Sequence, residues 1–362
     1  MKKYEIVMDW LNKQIEAGDL EDGDKIPSES ELMLQFNVSR NVVRQAANEL
    51  IKNGLIESRQ GVGYFICKTV KNESSEISFI CFRSSSYIFP DILHGANTVI
   101  QKNGYHMLFH ESLYDIEIEK EILVKMLKKG VAGVILTPVQ GPNDKNNAEI
   151  VQAFELKGIP VVLLDSVFPG YDFCSVQLAD ETSGYTAAKH LYDNGHRNIA
   201  MIYSKNYYPK VDRLNGVRKL LTEMGIPVIE ENFYGIEGQG SLRKTYRQIE
   251  EAVESFKKMP STPTAIICSS DDEAEILLHL LKKKKIAVPD DVSIISFDNS
   301  DISKNSIPPL TTMAHPSEFM GETVANTLIN RILNPQISNK THTYINSHII
   351  KRDSVKNISA QN

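Results

Sequence analysis

From Ile77 onward the chain repeats one theme: a short apolar run, a helical stretch, another run. The runs are 77–82 (ISFICF), 105–110 (YHMLFH), 131–136 (VAGVIL), 160–165 (PVVLLD), 198–203 (NIAMIY), 264–269 (TAIICS) and 292–297 (VSIISF). Near-continuous Ile, Val and Leu over a few residues is the pattern of a strand buried on both faces. Strands separated by helices must return by crossovers, so the sheets are expected to be parallel. The theme is interrupted by SVQLADETSGY at 175–185 and then resumes, which predicts two similar lobes and not one long sheet.

The first 68 residues are built differently. Tyr4, Val7, Met8, Leu11 and Ile15 recur at helical spacing up to Gly18. Gly23 and Pro27 punctuate a loop, and Ser28 with Glu31 forms an S-x-x-E capping box before a second short helix carrying Leu32 and Phe36. After a break at Asn37 and Val38, Ser39 caps a third helix that buries Val43, Ala46, Ala47 and Leu50 and stops at Asn53-Gly54. Strands over 55–58 and 64–66 then flank the tip Arg59-Gln60-Gly61-Val62-Gly63. This reads as a winged helix-turn-helix over 1–68. The polar stretch KTVKNESSE supplies a linker at 69–76, and a two-lobed body fills 77–356.

Charge supports that division. The net charge of the 362 residues is -6, with no global basic signal. Yet between Val38 and Lys71 stand Arg40, Arg44, Lys52, Arg59, Lys68 and Lys71 against only Glu49 and Glu57. Cys67, Cys81, Cys174 and Cys268 are far apart, so neither a zinc site nor a disulfide framework is expected, and no metal or cofactor is called for. The N-terminus has no apolar h-region and no uncharged run is long enough for a bilayer, which predicts a cytoplasmic protein without membrane contact. No GxSxG, GxxxxGK[ST] or HExxH pattern occurs, so an enzyme is not expected.

In a helix-turn-helix the second helix enters the major groove with its N-terminal residues on base edges. Arg40, Asn41, Arg44 and Asn48 lie opposite the buried set of the third helix. Arg suits guanine, Asn suits adenine, and Ser39 suits a phosphate. The segment also resembles the GntR family of winged helices. It carries Pro27-Ser28-Glu29, Glu31-Leu32, Val38-Ser39-Arg40, Val43-Arg44, Gly54-Leu55, Gly61, Gly63 and Phe65 in the family's order. That resemblance implies Glu29, Arg40, Asn41, Arg44, Gln60 and Gly61 as DNA contacts. It departs from the pattern at Asn41, where Thr or His is common, and at Tyr64, where Thr is usual.

The body resembles the LacI/GalR-type effector domain, itself similar to periplasmic sugar-binding proteins. The motifs are Asp180-x-x-x-Gly184, Gly195-His196-Arg197-x-Ile199, Arg213-x-x-Gly216, Asp271-x-x-Ala274, Val288-Pro289-x-Asp291, Phe297-Asp298-Asn299 and Pro309-Leu310-Thr311-Thr312. In such folds ligands bind in the crevice at the carboxyl ends of the strands. Sugars need charged or amide groups for paired hydroxyls and an aromatic face for their C–H side. The resemblance implies Asp165, Arg213, Ser270 and Asp298 as ligand contacts, and Tyr87, Phe89 and His315 join them as candidates. Asp165 and Asp298 have an alternative reading as helix caps, and Arg213 as a surface residue. Gly195-His196-Arg197 reads as a structural turn, and Lys282 to Lys285 as a solvated helix end.

The pairing of this winged helix with this body resembles the arabinose-responsive repressors of Gram-positive bacteria. It implies a homodimer on near-palindromic double-stranded operator DNA, released by a small sugar, L-arabinose. A regulator answering to another sugar, or a sugar-binding module with no DNA role, are the alternatives.

Overall fold

The computed structural model describes residues 3–16, 19–20, 23–52, 56–59, 62–66, 74–84, 88–139, 146–237, 242–335 and 339–359. At the N-terminus stand α1 (Lys3–Glu16), α2 (Glu29–Phe36), α3 (Arg40–Lys52) and the antiparallel pair β1 (Ile56–Arg59) and β2 (Gly63–Ile66). Both halves of the capping box form: Glu31 N donates to Ser28 Oγ (3.3 Å) and Ser28 N to Glu31 Oε2 (2.7 Å). Asn37 ends α2 in the left-handed region at φ 50°, where Asn is among the few non-glycine residues tolerated. Val7, Leu11, Leu32, Val43, Ala46, Ala47, Leu50, Ile56 and Ile66 close one small core. A bridge from Lys25 to Phe65 adds a third short strand segment beside β2, which the sequence pattern did not signal.

The body holds two six-stranded sheets. Lobe 1 contains β3 (Glu76–Cys81), β4 (His106–Glu111), β5 (Gly133–Leu136), β6 (Val161–Leu164), β7 (Cys174–Leu178) and, from far along the chain, β13 (His342–Ile345). Its order is β13-β7-β6-β5-β3-β4, and every pairing is parallel. Helices α4 (Phe89–Lys102), α5 (Ile116–Lys129), α6 (Ala148–Leu156) and α12 (Ser317–Leu333) go with it. Lobe 2 contains β8 (Ile199–Ser204), β9 (Phe233–Ile236), β10 (Ala265–Cys268), β11 (Ser293–Asp298), β12 (Thr311–Ala314) and β14 (Ile349–Ile350), in the order β14-β12-β11-β10-β8-β9. Only β14 runs antiparallel in that sheet. Its helices are α7 (Asp180–Asp193), α8 (Tyr208–Glu223), α9 (Leu242–Lys257), α10 (Asp271–Lys283) and α11 (Asp301–Asn305). All seven expected strands are present. The expected linker is one residue too long, because Glu76 already pairs with His106 in the sheet.

Each lobe carries one close helix crossing. A Cβ on Gly184 of α7 would lie 1.9 Å from the Arg213 carbonyl oxygen, and one on Gly216 of α8 would lie 1.9 Å from that of Glu181. Gly95 on α4 and Gly321 on α12 make the corresponding crossing in lobe 1. The spacings Asp180-x-x-x-Gly184 and Arg213-x-x-Gly216 therefore record backbone contact between two helices.

Among the described residues the chain passes between the lobes three times: after β7, between β12 and α12, and between β13 and β14. The passages bond to one another. Ala179 N donates to Ile345 O (2.9 Å), Ala314 N to His348 O (2.8 Å) and Ser347 Oγ to Ala314 O (2.6 Å).

Candidate functional site

A cavity of about 360 Å³ lies between the lobes at the strand ends. Of the ligand-contact candidates, Asp165, Arg213, Ser270, Asp298 and Phe89 all line it. Tyr87 lies outside the described residues. His315 stands at the second passage between lobes, where its backbone N donates to Asp298 O (3.3 Å).

The two aspartates end equivalent strands, β6 and β11, one in each lobe. Both have left-handed backbone, φ 54° at Asp165 and 103° at Asp298, conformations that cost energy in a non-glycine residue. Neither is a helix cap: Ser300 precedes α11, and no helix starts at Asp165.

Arg213 is 4% exposed, so it is no surface residue. Its Nε donates to Asp180 Oδ1 (2.7 Å), its Nη1 donates to Ser269 O (2.7 Å) and lies 3.5 Å from Asp298 Oδ1, and its guanidinium sits 4.4 Å from the Phe297 ring centroid. Burial alone would lower its pKa; Asp180 and Asp298 outweigh that and raise it, so the cation is permanent.

Among the described residues, two buried atoms close to Arg213 have no hydrogen-bond partner: Asp165 Oδ1 and His315 Nε2. Burial raises the Asp165 pKa against the opposing pull of His315 and Arg213, and lowers that of His315, which favours a neutral imidazole. Unpaired buried polar atoms cost free energy unless something in the site completes them.

The sequence reading missed several wall residues. Tyr207, just before α8 in lobe 2, donates through its hydroxyl to Asp165 Oδ2 in lobe 1 (2.9 Å) and packs edge-on against Phe82 (5.7 Å between centroids). Phe82 also meets Phe89 (5.3 Å) and stacks on Tyr114 (4.7 Å), giving the cavity an aromatic wall. On the lobe 2 side, Lys210 Nζ donates to Glu273 Oε1 (2.9 Å) and Ser270 Oγ (3.3 Å). Ser204 and Ser269 hydroxyls donate to the same glutamate (3.1 and 2.7 Å). Ser204 ends β8 and Ser269 directly follows β10, where a polar residue after an apolar run was the available signal; Lys210 and Glu273 stand further on, in α8 and α10.

Other singled-out residues are structural. Asp271 and Asp272 diverge: Asp271 is fully buried and accepts from Ser296, Ser300 and Thr312, while Asp272 lines the cavity. In Gly195-His196-Arg197, the His196 ring bridges Thr264 Oγ1 (2.9 Å) and Lys356 O (3.0 Å), which ties down the C-terminal segment. Lys284 is not merely solvated, since it pairs with Glu254 on α9. A Ser175–His342–Asp172 chain exists (3.0 and 2.9 Å), but Ser175 is fully buried near the start of β7 and none of the three lines the cavity.

Behind the lobe 1 wall, Glu119 is buried. Its Oε2 accepts from Val139 N (2.6 Å) and its Oε1 from Asn147 Nδ2 (2.9 Å), so one carboxyl ties α5 to Asn147 and to Val139, which lines the cavity. Burial pushes its pKa up to about 7 from 4.5. Between those values the folded protein binds the extra proton, so this group's contribution to stability declines as pH rises through that window. Glu119→Gln imitates the protonated form. It should remove roughly 3 kcal/mol of the fall in stability between about pH 4.5 and 8. Urea unfolding of both proteins across that range checks this; parallel pH profiles would refute it.

At the N-terminal domain, Arg40, Asn41, Arg44 and Ser39 are exposed on or beside the start of α3. Glu29 is placed between the arginines: its Oε1 accepts from Arg44 Nε (2.9 Å) and its Oε2 lies 3.3 Å from Arg40 Nε. The Tyr64 hydroxyl also donates to Glu29 (3.3 Å), which gives a structural use to the residue that departs from the family pattern. The hydrogen bond from Arg44 lowers the Glu29 pKa. Glu29 thus fixes the direction of both guanidinium groups from below. Gln60 and Gly61 lie outside the described residues. Lys25, bridged to Phe65, reaches the wing beside Gly63 and was not anticipated.

Residues 3–66 match the bacterial regulatory proteins of the gntR family, and residues 188–355 match the periplasmic binding protein-like domain. An arabinose metabolism transcriptional repressor of Halalkalibacterium halodurans is 30% identical over 337 residues, covering 91% of this chain and 89% of that protein. The chain belongs to this repressor family. A second repressor of the same description, from Geobacillus stearothermophilus, is 29% identical over 361 residues and covers 99% of both chains. The fold also matches a solved transcriptional regulator CelR–cellobiose complex (TM-score 0.69, 21% identity, 88% of this chain and 91% of that one). A transcription regulator from Lactobacillus plantarum matches with TM-score 0.66 and 26% identity over 78% of this chain and all of that one. The chain thus joins a GntR-type DNA-binding domain to a LacI-type effector domain. Among the described residues no helix is long and apolar enough to cross a membrane, and no cluster of His, Cys, Asp and Glu could hold a metal ion.

Proposed function

We propose that this transcriptional repressor binds operator DNA as a cytoplasmic homodimer and is released by a small neutral sugar, L-arabinose. The observation that carries the sugar reading is the cleft itself: Asp165, which lines it, has a buried Oδ1 without a hydrogen-bond partner among the described residues, beside an aromatic wall and a fixed arginine. Hydroxyls complete such atoms, and a pentose offers several on one ring. The charge of the cleft argues against an anionic ligand. Arg213 is committed to Asp180 and Asp298, and Lys210 to Glu273, while Asp272, Glu237 and Glu275 outnumber Arg83 among the other charged residues of the lining. A phosphorylated sugar would meet repulsion there. The choice of arabinose is supported by the two full-length relatives.

Tyr207 and Asp165 reach across the cleft from opposite lobes, so sugar bonded to Asp165 acts on the lobe interface directly. Release then requires only that sugar bind one lobe arrangement more tightly than the other. A dimer is proposed because one short recognition helix reads few base pairs and two-fold operators suit paired readers. A thermal-shift panel of pentoses and hexoses tests the sugar: L-arabinose should raise the melting temperature, and stabilisation by a different sugar alone would displace it. For DNA, Arg40→Ala with Arg44→Ala should weaken specific operator binding by about a hundredfold or more and flatten its salt dependence. Unchanged binding in a gel-shift titration would refute the α3 interface.

A further inference from the structure

Tyr207 belongs to lobe 2 by sequence and to lobe 1 by contact. Its backbone oxygen accepts from Lys210 N (3.0 Å) and Val211 N (3.3 Å), so it is fixed to the first turn of α8. Its ring nevertheless packs against the lobe 1 core, edge-on to Phe82. Its hydroxyl lies 2.9 Å from Asp165 Oδ2 and 3.3 Å from Asp165 O. Asp165 is just as firmly held on the other side, since its N donates to Val176 O (2.8 Å) of β7. One hydrogen bond thus joins two rigid mounts, one in each lobe. Both partners are the protein's own, so the connection needs no ligand to form.

The chemistry of that bond is also the chemistry of a sugar on a carboxylate. Burial and the facing Asp165 raise the Tyr207 pKa, so its hydroxyl keeps its proton and acts as donor. A carboxylate accepts through two oxygens. Oδ1 of Asp165 has no hydrogen-bond partner among the described residues, whereas Oδ2 is taken by Tyr207. A sugar carries hydroxyls on adjacent carbons and can offer one to each oxygen. Its first hydroxyl finds Oδ1 open. Its second meets an oxygen that already has a donor, so sugar and Tyr207 are rivals for one atom.

We propose that Tyr207 is a clasp between the lobes that the sugar must undo: its hydroxyl stands in for a sugar hydroxyl on Asp165, holds the lobes in the arrangement that binds operator, and is displaced when sugar takes both carboxylate oxygens. The inference rests on the neutral-sugar reading of the cleft and adds how occupancy becomes lobe movement. Hydrogen bonds to an ionised acceptor are among the stronger ones, so exchanging this one favours one lobe arrangement over the other. The clasp also sets a threshold, because part of the sugar's binding energy goes into opening it. Arg213 and Lys210, on the same helix, make their bonds within lobe 2. Moving all of α8 therefore disturbs the sugar site, whereas removing the Tyr207 hydroxyl alone removes the clasp.

The experiment uses the full chain with Tyr207→Phe, Asp165→Gly and the double variant. Phenylalanine keeps the ring packing and lacks only the hydroxyl; glycine removes the carboxylate and accepts the φ of 54° at that position. L-arabinose affinity is measured by calorimetric titration, and operator affinity without sugar by gel shift. Tyr207→Phe is expected to bind L-arabinose about fivefold more tightly or better, and operator about three- to tenfold more weakly, than the parent. Weaker arabinose binding would mean that Tyr207 holds the sugar and does not compete with it, which overturns the clasp. Unchanged affinity for either ligand overturns it as well. If no pentose or hexose binds the parent, the sugar reading falls and operator binding alone judges the clasp. Asp165→Gly should then weaken it about as much as Tyr207→Phe, and the double variant no more than either single one, because both remove the same bond. Additive losses overturn the clasp.

Discussion

Arg213→Met should destabilise the effector body by about 3–5 kcal/mol and abolish its response to sugar. The reason is the company Arg213 keeps. Asp180 and Asp298 are each buried, and the guanidinium is the cation both of them face. Methionine fills much of the volume but takes from two carboxyls held out of water the guanidinium they face, a far greater cost than losing an exposed ion pair. Burial already raises the Asp180 pKa and Arg213 opposes that, so the variant should take up protons and be relatively better tolerated in acid. Urea unfolding at two pH values measures both effects. Arg213→Lys serves as the companion: it keeps the charge but loses the fork that reaches Asp180 and Ser269 together. It should stay folded and still fail to gain melting temperature with sugar. A destabilisation below about 1 kcal/mol for Arg213→Met would mean that the triad does not act as a unit.

Gly184→Ala is the second large effect, and it acts through one methyl group. That Cβ would stand 1.9 Å from the Arg213 backbone oxygen, with Arg213 Cα only 2.8 Å away. Backbone cannot rotate aside as a side chain can, so α7 and α8 must separate. The expected cost is about 3 kcal/mol, the upper end for overpacking. Because α8 carries Arg213, Lys210 and, at its start, Tyr207, the same displacement should weaken sugar binding by tenfold or more. The control is Gly225→Ala, a glycine outside the crossing: a Cβ there meets nothing within 4 Å, so any loss comes from its φ of 67° alone. Equal sugar affinity in the Gly184 variant would show that the crossing and the site are uncoupled.

The inner strands were legible because burial on both faces leaves little but Ile, Val and Leu, as in VVLL of β6 or AIIC of β10. The strands that escaped notice break that rule for definite reasons. β9 and β13 lie at sheet edges and are partly exposed, so FYGI and HTYI carry no buried pattern. β12 is fully buried, yet Thr311 and Thr312 satisfy their hydroxyls through Arg352 and Asp271, which disguises a core strand as a polar turn. The site divided the same way. Asp165 and Asp298 stand immediately after strong strands and were readable from position. Tyr207 and Glu273 depend on which strand ends are neighbours in space, and that order, β11-β10-β8-β9, is not written in sequence spacing. Glu119 was invisible because nothing local marks a carboxylate as buried when its partners, Val139 and Asn147, lie 20 and 28 residues further along the chain.

The three bonded passages between lobes restrict how the body can move. A single connecting strand would let one lobe swivel, tilt and twist on the other. Three strands side by side, bonded through Ala179, Ile345, Ala314 and His348, behave like the knuckles of a door hinge. They leave one easy rotation and resist the others. Sugar binding energy therefore has one mechanical outlet, and the angle between the lobes becomes a single variable that occupancy sets. Nicking the chain at any one passage would leave two knuckles in place, so the rotation should survive a single proteolytic cut there.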